Sequence, residues 1–404
     1  MGFGESPLEA LERAPVTLAV NPLTPSREKS PHETPSPAFW AGKSVFLTGH
    51  TGFKGCWLGL WLQRLGAKLH GYSLPPPTTP SLFEQAGIST HFETNQIGDI
   101  SNYQALASAI NTTSPDIVIH MAAQALVRAS YANPIETFAT NLMGTVHLLD
   151  AIRITPSVRA VLIVTTDKVY ENMDWAWGYR EGDRLGGFDP YSASKACAEL
   201  ATAAFRNSYF HHANSENHLP FIATARAGNV IGGGDYAQDR LIPDFYRALS
   251  CGEAVHIRNP MATRPWQHVL EPLRGYLLYL ESMMAQNRGK PSTALPTALN
   301  FGPNLQEAWN VSRVADRVCD IWGGNARWVQ DPAIHPHEAH ALCLDHSLAA
   351  RTLHWHPVLS TEEALEDTVH WYKRAAHGES ASALMHEQID HYEKRIPARN
   401  IRKH

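Results

Sequence analysis

Thr166, Asp167 and Lys168 close a β-branched apolar run, and Tyr191 with Lys195 opens a helical segment further along the chain. Residues four apart share one helix face, so Lys195 can sit beneath Tyr191. A phenol is a poor base at neutral pH, its free pKa being about 10, but an adjacent ammonium favours the phenolate. Such a pair is suited to taking the proton of a hydroxyl while its carbon gives up a hydride, which calls for a nicotinamide. Asp167 and Lys168 add proton transfers that simple alcohol oxidation does not need.

Elements able to hold these residues follow from the hydrophobic pattern. Short, nearly continuous apolar strands are expected at 44–48, 68–73, 116–120, 160–165 and 221–226, with helical patterns at 56–65, 135–152 and 191–209 between them. Their alternation predicts a doubly wound α/β domain, a parallel sheet (Rossmann) covered on both faces. After about Gly228 the alternation gives way to loops rich in Gly, Pro, Arg and His, with helical patterns at 240–249 and 272–284. The expected organisation is a flexible Pro-rich extension (1–39, seven prolines), a dinucleotide-binding domain (40–228), a smaller substrate-binding lobe without an obvious sheet (229–380) and a C-terminal tail (381–404).

Between the first strand and first helix stands Thr48-Gly49-His50-Thr51-Gly52-Phe53-Lys54-Gly55. Glycines three apart allow a tight turn and let helix-terminal N–H groups approach a pyrophosphate. The second strand ends Tyr72-Ser73-Leu74 without the acidic residue that would hold a ribose, and no Arg replaces it, so NAD and NADP are not separated here. Asp99, after the next strand, is either an adenine contact or a helix N-cap.

Composition narrows the classes further. At 404 residues and 44% apolar content the chain can bury a large core, and a net charge of −5 with scattered Lys and Arg argues against nucleic acid as a partner. The five cysteines form no CxxC pair or close cluster, which argues against a zinc site and a disulfide framework and fits a reducing cytosol. His335, His337 and His340 lack the helical spacing of a metal motif, so no metal is expected. No apolar stretch is long enough to span a bilayer, and no membrane association is expected.

TGxxGFxG at 48–55, His120-Met121-Ala122-Ala123-Gln124, Thr165-Thr166-Asp167-Lys168 and Tyr191-Ser192-Ala193-Ser194-Lys195 together resemble the extended short-chain dehydrogenase/reductase family of nucleotide-sugar enzymes. Segments 164–172, 177–181, 185–191 and 226–235 are similar to its branch of CDP-glucose 4,6-dehydratases, and the resemblance spans roughly 38–375. It implies NAD as cofactor, a nucleotide-sugar substrate and a homodimer. It also implies a redox-neutral reaction: oxidation at carbon 4 of CDP-glucose, elimination of water across carbons 5 and 6, and hydride return to carbon 6, giving CDP-4-keto-6-deoxyglucose.

By the same resemblance Thr166, Tyr191 and Lys195 form the dehydrogenase triad and Asp167 helps expel the hydroxyl. Lys168 stands where dTDP- and GDP-sugar dehydratases carry a glutamate base; it is either the base at carbon 5 or a ligand for a substrate oxygen. Gly49, Thr51, Gly52, Phe53, Gly55, Asp99, Ile100, Ala122, Ala123, Gln124, Asn141 and Thr165, with Tyr191 and Lys195, would contact the cofactor. Gln124, Asn229, Arg240, Leu241, Ile242, Pro243, Arg264 and His268 would contact the substrate, the two arginines suiting a diphosphate by their planar fork. The alternatives are another NDP-hexose 4,6-dehydratase, a 4-epimerase, or a non-catalytic scaffold on the same fold.

Overall fold

Side-chain alternation decides the centre of the molecule, for which the computed structural model describes residues 33–210, 219–286, 295–333 and 341–400. In β1 (Ser44–Thr48), Val45 and Leu47 enter one apolar cluster and Phe46 the other. In β5 (Ala160–Val164), Ala160, Leu162 and Val164 join the first cluster, and Val161 and Ile163 the second. Each strand thus supplies both faces of the sheet, and both must be covered.

The remaining strands are β2 (Lys68–Ser73), β3 (Thr94–Ile97), β4 (Ile117–His120), β6 (Phe221–Ala227) and β7 (Ala298–Phe301). All seven are parallel, in the order β7-β6-β5-β4-β1-β2-β3. The order reverses between β1 and β4, where a doubly wound sheet opens its crevice. Thr48 pairs with His120 and Tyr72, and His120 with Ile163, so the C-terminal ends of the central strands line up.

Helices α1 (Phe53–Arg64) and α6 (Leu270–Gln286) cover one face; α2 (Tyr103–Thr113), α3 (Gly144–Arg153) and α4 (Pro190–Tyr209) cover the other. Of the remaining helices, α5 is Leu241–Ser250, α7 Val311–Trp322, α8 Thr361–Ala376 and α9 Ala381–Asn400. The helical pattern expected at 135–152 is broken: Pro134–Phe138 is α-helical, Ala139–Met143 is a π-turn, and α3 follows. Such a bulge rotates side chains out of the regular stripe, and here it buries Asn141.

Two expectations about organisation need correction. The boundary at 228/229 is not a break, because β7 extends the main sheet by pairing with β6, and the described residues on both sides of it belong to one compact unit. Four residues between turns are too few for periodicity to reveal. Nor is 381–404 simply a tail: in α9, Leu384, Met385, Ile389, Tyr392 and Ile396 are buried in the larger apolar cluster. Tyr392 donates to Glu271 at 2.8 Å, and Glu271 accepts from the N–H groups of Val358 and Leu359 at 2.7 and 2.6 Å. At the other end of the described chain, Glu281 accepts from Ser36 N and Trp40 Nε1, both at 2.7 Å. Residues 1–32 and the 335–340 histidines lie outside the described residues.

If α9 is part of the core, Ile389→Ala should cost roughly 3 kcal/mol, the usual scale for truncating a buried aliphatic side chain. A urea midpoint equal to wild type would mean that 381–400 behaves as a dispensable tail.

Candidate active site

Two of the glycines at the β1–α1 turn are demanded by close approach. Gly49 has φ +78°, and a Cβ there would fall 2.7 Å from Ala122 N; a Cβ on Gly55 would fall 2.1 Å from Gly49 O. Thr48 Oγ1 joins the two crevice walls by accepting from Met121 N and Ala122 N at 3.1 and 3.2 Å. Thr51 Oγ1 ties the turn to the end of β2, bonding Ser73 Oγ at 2.8 Å and donating to Leu74 O at 2.9 Å. Gly52 caps α1 without a side-chain hydrogen bond, so the first N–H groups face the crevice uncovered by any side-chain cap. The turn therefore fits an anionic pyrophosphate.

A cavity of about 1120 Å³ opens over these strand ends. Asp189 starts α4 by accepting from Ser192 N at 2.9 Å, with Pro190 in the first turn, and this fixes where Tyr191 and Lys195 emerge. Lys195 Nζ donates to Val164 O at 2.9 Å, at the end of β5. The chain then turns: Thr166 Oγ1 donates to Asp167 Oδ1 at 3.0 Å and accepts from Lys168 N at 3.4 Å, and its hydroxyl is also hydrogen-bonded to Tyr191. Thr166, Asp167, Lys168, Tyr191 and Lys195 all line the cavity.

Burial governs the charges. It pushes Tyr191 up to about 12, against the Thr166 hydrogen bond and Arg240, which favour the phenolate, and with Asp167, which opposes it. Enclosure thus acts against the phenolate that an adjacent ammonium would favour. Burial lowers Lys195 to about 8, with Glu199 acting to raise it. Asp167 is 2% exposed, and burial raises its carboxyl against Lys168, Thr166 and Arg264; among the described residues its Oδ2 has no hydrogen-bond partner. A carboxyl held towards its protonated form is a proton donor.

Lys54 completes a cationic floor. Burial, Arg240 and Lys195 bring its amine down to about 7, against Asp167. Its Nζ lies 3.4 Å from the Tyr276 hydroxyl. Three crowded cations beside an open helix N-terminus favour anionic ligands.

All but two of the expected site residues reach this cavity. Gly49, Thr51, Gly52, Phe53, Gly55, Asp99, Ile100, Ala122, Ala123, Gln124 and Thr165 line it, as do Asn229, Arg240, Leu241, Ile242, Pro243 and Arg264. Asn141 does not: it accepts from Gln124 N at 2.9 Å and donates to Gln124 O and Ser194 Oγ at 3.0 and 2.9 Å, so it holds the cavity wall from behind. His268 does not either. It is buried against Trp57, and burial lowers its imidazole to about 4. Asp99 is not the cap of α2, since Asn102 accepts from Ala105 N at 3.1 Å, while Asp99 accepts from Ser101 N at 2.8 Å in a local turn. Gln124 uses its side chain on Leu126 and Thr137. Arg240 is paired with Asp235 at 2.8 Å, which raises its guanidinium further.

Sequence reasoning missed Lys54, although it is the sole charge in α1 before Arg64. It also missed Arg128 and Arg258, which line the cavity and share Asp239 at 2.7 and 3.6 Å. Only the fold brings that trio together.

The model of the GDP-mannose 4,6 dehydratase family matches residues 46–368. A CDP-glucose 4,6-dehydratase of Salmonella typhimurium is 49% identical over 354 residues, covering 88% of this chain and 97% of the relative. A dTDP-glucose 4,6-dehydratase of Streptomyces griseus is 27% identical over 70% of this chain and 77% of its own. Among solved structures, dTDP-glucose 4,6-dehydratase from Bacillus anthracis in complex with NAD superposes with a TM-score of 0.67 at 20% identity, covering 85% of this chain and all of that one. An epimerase from Methanothermobacter thermautotrophicus reaches 0.71 at 22% identity over 84% and 95%. With the glycine turn, the Thr166–Tyr191–Lys195 cluster and the seven-stranded sheet in place, the chain belongs to the GDP-mannose 4,6 dehydratase family of extended short-chain dehydrogenases/reductases.

Proposed function

We propose that this chain converts CDP-glucose to CDP-4-keto-6-deoxyglucose, with NAD as cofactor. The observation that carries the elimination step is a buried carboxyl oxygen on Asp167, without a hydrogen-bond partner among the described residues, and the amine of Lys168 in the same cavity as Tyr191 and Thr166. An oxidoreductase that stops at the ketone, or a 4-epimerase, has no use for that acid. The CDP-linked substrate is supported by the identity and near-complete coverage shared with the Salmonella relative.

Bound NAD would supply the hydride acceptor for carbon 4 and the donor for carbon 6. The Gly49–Gly55 turn and the open start of α1 would hold its pyrophosphate, and Lys195 its nicotinamide ribose. The wall contributed by Ser73, Leu74, Pro75, Pro77, Thr78, Ser81 and Leu82 offers no cation to a 2′-phosphate, which supports NAD over NADP.

The chain's own groups then act in order. Thr166 and Tyr191 bind the 4-hydroxyl, and Tyr191 accepts its proton once positive charge offsets its burial; Arg240 acts in that direction. The carbon 4 ketone acidifies the carbon 5 proton, which Lys168 takes. Asp167 protonates the departing carbon 6 hydroxyl, so one water is lost, and Lys168 would return its proton to carbon 5 when hydride reaches carbon 6. Asn229, Arg240 and Arg264 serve the diphosphate, and Gln124 holds the adjoining wall.

We further infer a homodimer built on helices 134–153 and α4, which leave Ile135, Met143, Leu200 and Tyr209 exposed at 86, 44, 59 and 52%. A cytoplasmic location is supported by five free cysteines, and among the described residues no helix is long and apolar enough to cross a membrane.

Incubation with CDP-, dTDP-, UDP- and GDP-linked hexoses and NAD should give a product lighter by one water from CDP-glucose, without net accumulation of reduced nicotinamide; turnover of UDP-glucose instead would defeat the assignment. Lys168→Met should lower kcat at least about 100-fold, the usual scale for a lost general base, while CDP-glucose is still bound. Full dehydration with altered affinity alone would make Lys168 a binding residue. In sedimentation, wild type should run as a dimer and Ile135→Asp/Leu200→Glu as a monomer; an unshifted double variant rules out this interface.

A further inference from the structure

Tyr191, Lys195 and Glu199 follow one another at four-residue steps down α4, so they share one face of the helix. Glu199 is 5% exposed, and its carboxylate is fully engaged. It accepts from Thr165 Oγ1 at 2.5 Å, Thr224 Oγ1 at 2.7 Å, and Arg226 Nε and Nη2 at 2.8 and 2.9 Å. Thr165 immediately precedes the turn carrying Thr166, Asp167 and Lys168, while Thr224 and Arg226 lie on β6. Arg226 is locked from its far side by donating to the Tyr170 hydroxyl at 2.8 Å and to Glu181 O at 3.1 Å, and Tyr170 donates onward to Asn300 on β7 at 2.7 Å.

We propose that Glu199 is a positioning residue of this active site: its buried carboxylate, one turn below Lys195, keeps that amine charged beneath Tyr191 and clamps the Thr165–Lys168 turn to β6. The inference rests on the reading that Tyr191 and Lys195 carry the oxidation. A buried ion pair contributes little stability over an apolar pair of similar volume, so stability alone gives no reason to spend a carboxylate here. Its place does give one. Lys195 faces Lys54 on α1, His120 on β4 and Glu199 on its own helix, and its amine donates to Val164 O at 2.9 Å. Burial drives Lys195 towards the neutral amine and Glu199 opposes it, leaving it near 8. Glu199 itself stays ionised because Arg226 and the two threonine hydroxyls outweigh its burial; Arg206 and Tyr279 are its remaining titratable neighbours.

The test compares wild type, Glu199→Gln, and Glu199→Gln/Arg226→Met, the double variant avoiding an unpaired buried guanidinium if the single variant does not fold. The pH dependence of trace acetylation of Lys195, read by mass spectrometry, needs no substrate and so stands even if CDP-glucose proves to be the wrong sugar nucleotide. Its midpoint should fall by about one pH unit on losing the adjacent opposite charge. With a turned-over substrate, the alkaline limb of kcat should move down by the same amount. A folded variant with the wild-type midpoint would overturn the proposal and leave Glu199 as a packing residue, whatever happened to activity. Failure of wild type to dehydrate CDP-glucose, with the midpoint still shifted, would instead count against the substrate assignment alone.

Discussion

Parallel pairing of β5 between β4 and β6 is the constraint from which the site follows. Because all three strands run the same way, their last residues reach one edge together: His120 beside Ile163, and Val164 beside Ala225. The Thr165–Lys168 turn, the Met121–Gln124 wall and the Ala227–Asn229 segment therefore meet without any of them being long. Val164 O, at the very end of β5, anchors the ammonium of Lys195, and Thr165 bonds the carboxylate one turn further along α4. If β5 slipped by one residue, its side chains would change faces and both anchors would be lost.

A low-dielectric crevice lined by unequal charges then sets the chemistry. Desolvation pushes Tyr191 and Asp167 towards their protonated forms and lowers the amines of Lys54 and Lys195. One cavity thus holds groups prepared to donate protons next to groups prepared to accept them. In bulk water none of these residues would be so poised. The crowding of cations near the open start of α1 also explains why such a site suits dianionic ligands: they supply the charge that the chain withholds.

Local signals in the chain were strong where the physics is local. The glycine turn is readable because Gly49 needs positive φ and Gly55 a missing Cβ, both set within eight residues. Tyr191 and Lys195 are readable because four residues make a helical turn. That Asn141 and His268 stand outside the cavity lining is not readable, for the opposite reason. A π-turn rotates Asn141 inward to brace Gln124, and packing against Trp57 removes His268 from the crevice. Neither event leaves a mark on residue spacing.

The sequence alone determined the doubly wound class, the central strands and the reactive pair, since apolar periodicity and turn glycines are properties of short stretches. Tertiary structure decided what is joined across distance. It attached β7 to the edge of the sheet and drew α9 into the core by a stripe of five apolar residues too sparse to stand out in a polar segment. It also brought Lys54, Arg240 and Lys195 from three separate elements into one field, and it raised Tyr191 by enclosing it. Burial depends on every neighbour at once, and so a proton's affinity for a side chain is written in the fold rather than in the motif.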